Sequence, residues 1–349
     1  MNKFHKLAML VLSLALVIGL VACPNKTEPK PEPTPGPVVP TPEPYTILDA
    51  GTDGTGTAGT EATYVTFGEW PQSVLPEGTT VTVDETVSKT VGFFTYYKGS
   101  DENWYVKQEE KASESGKRYS DGSVVKRMSE NSTRYFKVEP IKWRVLEEKD
   151  DKKFLLAENG LMALPYYDNI KERTIGGKEI YPNNYMHSKI RAFLNGYKYQ
   201  LGDADNSDYE NKGFLQTAFT SEAQSKIDTT TVDNSVASTL YSPNRSVCDN
   251  TSDKVFLLSA KETITATYGF STSTTHPDKP RIRKPTDFAL ATGAYNFGFG
   301  GKNGCFWWLR SPNHDNFYHA RYIDLAGYVF LHEHILSYGA VVPALWVTQ

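Results

Sequence analysis

The chain of 349 residues has few cysteines, little net charge and no apolar run long enough to span a membrane. Three cysteines are too few for a disulfide framework. A net charge of −4 with a pI near 6.0 lacks the basic excess that nucleic-acid-binding proteins usually carry. The apolar run at residues 7–20 is shorter than the roughly 20 residues of a transmembrane helix. We therefore expect neither a disulfide-stapled mini-protein nor a nucleic-acid partner.

Several common motifs are also missing from the sequence. It contains no internal repeat of 20 to 50 residues, no convincing nucleophile elbow, no Walker loop and no paired-carboxylate motif. Aromatic residues are abundant, with 6 Trp, 21 Tyr and 17 Phe, and only 22% of residues are charged, which argues against a disordered chain. We expect a globular protein without enzymatic activity and without a cofactor.

The first 22 residues have the composition of a bacterial lipoprotein signal peptide. Lys3 and Lys6 precede the apolar run, and residues 20–23 (Leu-Val-Ala-Cys) resemble the site at which such a signal is cleaved and the cysteine acylated. The alternative is an ordinary secretory peptide with a chance cysteine. We predict lipid attachment at Cys23, which would anchor the exported protein to a bacterial membrane, at the outer membrane or cell surface.

Residues 23–62 have the composition of a tether. Nine prolines among residues 24–44 favour an extended polyproline II conformation, which at ~3.1 Å per residue spans up to roughly 65 Å. The Gly/Thr-rich residues 51–59 add a flexible joint. We expect the folded domain to occupy residues 63–349.

The pattern of the remaining chain predicts a single large α+β domain, because strands, helices and strands follow one another without a βαβ rhythm. Helices are predicted at residues 188–195, with Ser188 as the cap and Gly196 as the stop, and at residues 214–227. Strands are predicted at residues 64–67, 91–97, 104–107, 134–138, 141–147, 153–157 and 254–259.

Residues 313–339 hold four of the seven histidines and six aromatic residues. A strand through residues 328–338 would bury Val329, Leu331 and Ile335, and would present the alternate side chains together. Glu333 interrupts the inner face, which indicates a bulge or a sheet edge. Exposed aromatics and histidines would form a contact surface, whereas a strand covered on both faces would make them core. The presented side chains are Tyr328, Phe330, His332 and His334.

Two kinds of chemistry remain as alternatives. His332 and His334 flank Glu333 at a spacing that can chelate zinc or copper, with His319 or Asp324 as a third ligand from the next strand. The second alternative is an oxidase, which would need a reactive cysteine pair. Cys248 and Cys305 are 57 residues apart and could form a disulfide or remain buried thiols.

Five motifs connect the chain with known proteins: residues 66–72, 141–146, 190–195, 253–259 and 306–312 (Phe-Trp-Trp-Leu-Arg-Ser-Pro). Together with residues 342–347 (Val-Pro-Ala-Leu-Trp-Val), they resemble an uncharacterised bacterial family. More closely, the chain resembles the treponemal variable-protein family of surface lipoproteins, which a retroelement diversifies. That resemblance implies a C-type-lectin fold of the formylglycine-generating-enzyme type, with residues 313–339 as the variable, ligand-contacting region.

The amino-acid usage of residues 313–339 agrees with such diversification. Mutagenesis of adenines in Asn codons cannot produce Lys, Glu, Gln, Met or Trp, and these five types make up 65 of the 349 residues. By proportion about five are expected among these 27 residues, and the segment contains one, Glu333.

The resemblance implies a lipid-anchored monomer that binds an external protein or glycan on a rigid scaffold. Trp307, Trp308, Leu309 and residues 343–346 would be scaffold. A structural envelope lipoprotein without a specific ligand is the main alternative, and it would bury the side chains that display would expose. The implied contact residues are His314, Asp315, Phe317, His319, Tyr322, Asp324, Tyr328, Phe330, His332 and His334.

Overall fold

The structure is a computed structural model that describes residues 46–53, 61–112, 116–202, 204–296 and 304–348. The predicted signal peptide, Cys23 and most of the predicted tether lie outside the described residues. The described residues belong to one compact unit. About 42% of residues are in strands and 14% in helices, so the α+β class is confirmed in this coarse form, with β-structure dominant.

Four short α-helices are present in the described residues. The predicted helix at residues 188–195 is confirmed: Ser188 accepts a hydrogen bond from the Arg191 N–H, and Gly196 adopts φ 73° at the C-cap. The predicted helix at residues 214–227 is divided in two, because Phe219 is extended and Thr220 caps a new helix. The helices are α1 (Lys189–Asn195), α2 (Phe214–Ala218), α3 (Ser221–Lys226) and α4 (Asp287–Ala291).

Eight strands form the larger sheet, in the order β1-β2-β6-β5-β4-β3, with β7 pairing both β6 and β21. The first strand lies within the predicted tether, where its backbone pairs with the second strand although its side chains are mostly exposed. These strands are β1 (Leu48–Asp53), β2 (Ala62–Val74), β3 (Val83–Val91), β4 (Phe94–Gly99), β5 (Trp104–Glu109), β6 (Thr133–Lys149), β7 (Lys152–Ala157) and β21 (Ala344–Thr348).

A second sheet has five strands in the order β19-β18-β17-β20-β9. Strands β17 and β20 are parallel neighbours, joined by a 3.0 Å hydrogen bond from the Ala340 N–H to the Phe306 carbonyl. The chain between them forms β18 and β19 and returns to the centre of the sheet. The five strands are β9 (Met162–Leu164), β17 (Trp307–Pro312), β18 (His319–Ile323), β19 (Val329–His334) and β20 (Gly339–Val341).

The remaining strands form two-stranded pairs. The predicted strand at residues 254–259 is not a regular strand: it bends at residues 254–255, makes an isolated bridge from Phe256 to Ala344, and follows a short strand, β15. The paired strands are β8 (Asn159–Gly160) with β16 (Lys284–Pro285), β10 (Arg173–Ile175) with β11 (Lys178–Ile180), β12 (Tyr199–Leu201) with β13 (Ala204–Asn206), and β14 (Thr230–Val232) with β15 (Thr251–Asp253).

Four fully buried tryptophans mark the core. The indole N–H of each one donates to a backbone carbonyl: Trp70 to Leu161, Trp143 to Phe67, Trp307 to Arg281 and Trp308 to Leu164, at 2.7–3.0 Å. A buried indole without such a partner would lose the hydrogen bond that it makes to water when unfolded. The core therefore fixes the position of β17, on which the second sheet is built.

Candidate ligand-binding surface

The β18–β19 hairpin lies at one edge of the second sheet. Its turn is closed by Asp324, whose Oδ1 accepts hydrogen bonds from the Ala326 and Tyr328 N–H groups at 2.9 and 2.8 Å. Gly327 adopts φ 85°, a conformation that favours glycine. Asp324 is thus a turn-forming residue, and only part of its carboxylate is available for a ligand.

Strand β19 is an edge strand and its pairing with β18 contains a bulge. His319 lies opposite His334 and Ala320 opposite Glu333, but Tyr322 lies opposite Phe330, so β19 contains one more residue than β18 over this interval. Both features expected from the position of Glu333 are therefore present. The strand also ends at His334, earlier than predicted.

The bulge divides the predicted presented side chains between two faces. Residues paired across antiparallel strands share a face, so Phe330 and Glu333 lie on the face of Tyr322. His334 lies with His319 on the opposite face, and the His332 ring is 5.8 Å from the His319 ring. Strict alternation predicted one continuous surface. The structure instead forms an aromatic cluster, Tyr322 with Phe330, and a histidine cluster, His319 with His332 and His334.

All ten predicted contact residues reach solvent. Phe330 is 43% exposed, and the neighbouring Val329 is buried, as the alternation predicted. Leu331 is half-buried. The exposed residues are Asp315, Phe330 and His332, and the half-buried residues are His314, Phe317, His319, Tyr322, Asp324, Tyr328 and His334.

An open pocket of about 570 Å³ lies beside the aromatic cluster. Tyr322 stacks on Phe330 with 5.5 Å between ring centroids and meets Phe306 edge to face at 5.7 Å. Burial, with the charges of Glu333 and Asp324, raises the pKa of Tyr322 to about 12, and both carboxylates line the same pocket as its ring. The pocket is lined by Gly293, Tyr295, Phe306, Tyr322, Asp324, Leu325, Phe330, Glu333, Ser337 and Tyr338.

The histidine cluster places three imidazoles close together. The His319 ring lies 5.8 Å from His332 and 5.7 Å from His334, in edge-to-face contact with both. Partial burial and the two neighbouring histidines lower the pKa of His319, against the opposing effect of Asp315. Within the described ranges no group of three His, Cys, Asp or Glu residues is arranged to hold a metal ion. Asp324, the other predicted third ligand, lies at the turn.

A second pocket of about 770 Å³ lies on the other side of β19. It contains Arg321, which was not predicted as a contact residue. The Arg321 guanidinium is buried and lies 4.5 Å over the Tyr241 ring. Burial lowers its pKa to about 10, against the opposing effects of Tyr241 and Asp315, so it stays charged at neutral pH. In the sequence, the only indication that Arg321 belongs to this surface was its position between His319 and Ile323.

Asn313 holds the loop before the hairpin and was also missed. Its side chain is fully buried and donates to the Leu331 carbonyl at 2.6 Å, while its Oδ1 accepts from the Asp315 N–H at 2.9 Å. Its Nδ2 also lies 2.8 Å from His332 Nδ1. Asn313 therefore belongs to the scaffold, although it lies inside the predicted variable region.

Two aromatic stacks fix the flanks of this loop. Phe317 stacks on Tyr181 with 5.3 Å between centroids, and His314 stacks on Tyr241 at 4.7 Å. These contacts account for the half-buried state of Phe317 and His314 while leaving part of each side chain accessible.

Both described cysteines are free thiols rather than a disulfide. Burial raises the pKa of Cys248 to about 11 and of Cys305 to about 12. A thiol with a raised pKa is a poor nucleophile because the thiolate is the reactive form. The environment of these cysteines therefore does not favour the oxidase alternative.

The fold and this surface define a mostly β domain with an accessible hairpin at one sheet edge. Residues 150–349 match a domain of unknown function (DUF6273). Because the match covers more than half of the chain, the protein belongs to this family. No curated protein and no solved structure matches the chain. No helix in the described part of the chain is long and apolar enough to cross a membrane.

Proposed function

We propose that this protein binds an external protein or glycan through the β18–β19 hairpin and the loop that precedes it. The main support is the contrast between the ends of residues 313–339 and their interior. Both ends enter buried neighbouring strands, β17 and β20, whereas all ten contact residues between them reach solvent. The side chains at these ten positions can therefore change while the buried residues of the same segment, such as Ala320, Ile323 and Ile335, stay in the core.

The finer parts of the proposal concern fold and location. The scaffold is a C-type-lectin-like domain of the formylglycine-generating-enzyme type, which a retroelement diversifies at residues 313–339. Acylation of Cys23 and the Pro-rich tether hold it at a bacterial surface. The motif resemblance supports these parts, and residues 306–312 and 342–347 lie inside the family match.

The alternative of a structural envelope lipoprotein predicts buried side chains at the presented positions. Phe330 and His332 are exposed, and Tyr328 and His334 are half-buried. These exposures favour binding over a purely structural role, because large aromatic side chains at an accessible sheet edge provide contact area at a low entropy cost.

A display library tests the proposed function. The ten contact positions are randomised together in the displayed chain, and the library is selected on lysozyme as a defined protein target. We expect folded clones to remain frequent and specific binders to emerge. A matched library, randomised at Trp307, Trp308 and Leu309, should lose folded display. Failure of the contact library to display folded protein would contradict the proposal.

A further inference from the structure

We propose that the pocket beside Tyr322 and Phe330 binds the positively charged side chain of a lysine on a protein partner. This inference rests on the proposed function and assigns a ligand chemistry to one part of the surface. It depends on three properties of the pocket: its aromatic walls, its two carboxylates and the apolar side chains at its rim.

The aromatic walls form a connected series. Tyr295 lies 6.1 Å from Phe306, Phe306 lies 5.7 Å from Tyr322, and Tyr322 stacks on Phe330 at 5.5 Å. Tyr338 also lines the pocket and is 46% exposed. Ring faces carry negative electrostatic potential and attract an ammonium group. Neutral aromatic or aliphatic ligands would gain only the apolar contact.

The charge of the pocket is negative. Asp324 and Glu333 line it, and among the described residues no Lys, Arg or His does. Two cations lie nearby: Arg281, whose charge acts on Asp324, pairs with Asp278 at 3.0 Å. Lys117 donates to the Ala294 carbonyl with its Nζ 5.3 Å from the centroid of the Tyr295 ring, so the ligand site is at the Tyr322 and Phe330 end of the pocket. The two carboxylates that line the pocket therefore complement a cation.

The rim favours a protein partner over a free small cation. Phe330 and Tyr338 line the pocket and are exposed large apolar side chains. A lysine at the centre of a protein interface would place its aliphatic stem against such side chains and its ammonium group inside.

Peptide titrations of the full chain test this assignment. The probes are acetyl-Gly-Lys-Gly-amide and the same peptide with norleucine, which keeps the apolar stem and removes the charge. At about 20 mM salt we expect the lysine peptide to bind roughly tenfold more tightly, with the preference reduced at about 0.5 M salt. Equal affinity for the two peptides would overturn the proposal. So would binding of tetramethylammonium without binding of the lysine peptide.

Paired variants connect the preference with this pocket. The double variant Glu333→Gln with Asp324→Asn should abolish the preference for the lysine peptide, because both changes remove a negative charge and keep the shape of the side chain. The amide oxygen introduced at position 324 can still accept the hydrogen bonds that close the turn. Glu333→Gln alone should reduce the preference for the lysine peptide. Because Glu333 lies outside the turn, this single variant still tests the proposal if the double variant unfolds. Asp205→Asn, a matched change at an exposed carboxylate outside both the pocket and the contact residues, should leave the preference for the lysine peptide intact. A preference that persists in the folded double variant would contradict the proposal.

The outcome remains distinguishable from failure of the proposed function. If lysozyme binders emerge from the contact library but the lysine peptide shows no preference, only the cationic ligand is wrong. If the contact library fails to fold, the binding surface itself is wrong, whatever the peptide result.

Discussion

Strands β17 and β19 belong to one sheet, are six residues long and are separated only by β18, yet they differ in burial. All six residues of β17 are buried, whereas in β19 only Val329 is. Both strands contain aromatic residues. Position in the sheet therefore determines whether an aromatic residue is buried or accessible, because β17 pairs with a strand on each side and β19 is the edge strand.

The largest expected effect comes from Trp308 on the buried side of this comparison. Trp308→Ala removes ring contacts with Tyr166 and Phe306 and the hydrogen bond to the Leu164 carbonyl. We expect a loss of about 3–5 kcal/mol in the free energy of unfolding. Chemical denaturation measures it, and a loss below about 1 kcal/mol would show that β17 is not the rigid element.

A smaller loss is expected at Asn313, where scaffold and surface meet. Asn313→Ala leaves the half-buried Leu331 carbonyl and the Asp315 N–H without their partner, which should cost about 1–3 kcal/mol. Asp315→Ala, at the exposed neighbour, serves as the control and should cost less than about 0.5 kcal/mol. Equal losses of unfolding free energy in the two variants would contradict the assignment of Asn313 to the scaffold.

Acid pH should destabilise the scaffold through His187. Burial, with Arg173 and Arg191, lowers the pKa of His187 to about 4. The unfolded chain then binds a proton near pH 6.5 while the folded chain does not, so stability falls as pH drops from about 6.5 towards 4. After allowance for partial exposure we expect about 1 kcal/mol. Chemical denaturation should show that the unfolding free energy of His187→Gln depends less on pH than that of the unchanged protein. The control His276→Gln, at an exposed histidine, should keep the pH dependence of the unchanged protein.

The smallest effect is expected at Phe330. Phe330→Ala removes a side chain that is 43% exposed and stacks on Tyr322, so the unfolding free energy should fall by only about 0.5–1 kcal/mol. Phe154→Ala, at a buried phenylalanine, is the matched control, with an expected loss of about 3–5 kcal/mol. Similar melting temperatures for the two variants would contradict the division between surface and core.

The sequence predicted an element correctly where interactions between neighbouring residues determine its structure. The cap at Ser188 and the stop at Gly196 bound helix α1, and Glu333 indicated the sheet edge and bulge. The split after α2 was missed because Thr220 acts as a second cap inside an apolar pattern.

The parts of the site that depend on packing between distant segments could not be predicted from the sequence. Asn313 and Arg321 are buried by segments distant in sequence, and nothing in their immediate neighbours indicates this. The bulge in β19 also redistributes side chains that strict alternation placed together. Part of the aromatic pocket, including Tyr295 and Phe306, comes from outside the predicted variable region.

The central claim is that residues 313–339 carry a replaceable surface on a fixed scaffold. Its most direct test exchanges all ten contact residues at once, each aromatic for His and each His or Asp for Asn, and measures the free energy of unfolding. The account predicts a nearly unchanged melting temperature and a total loss smaller than half of that for Trp308→Ala. A loss equal to or larger than that of Trp308→Ala would show that these side chains are core and would contradict the account.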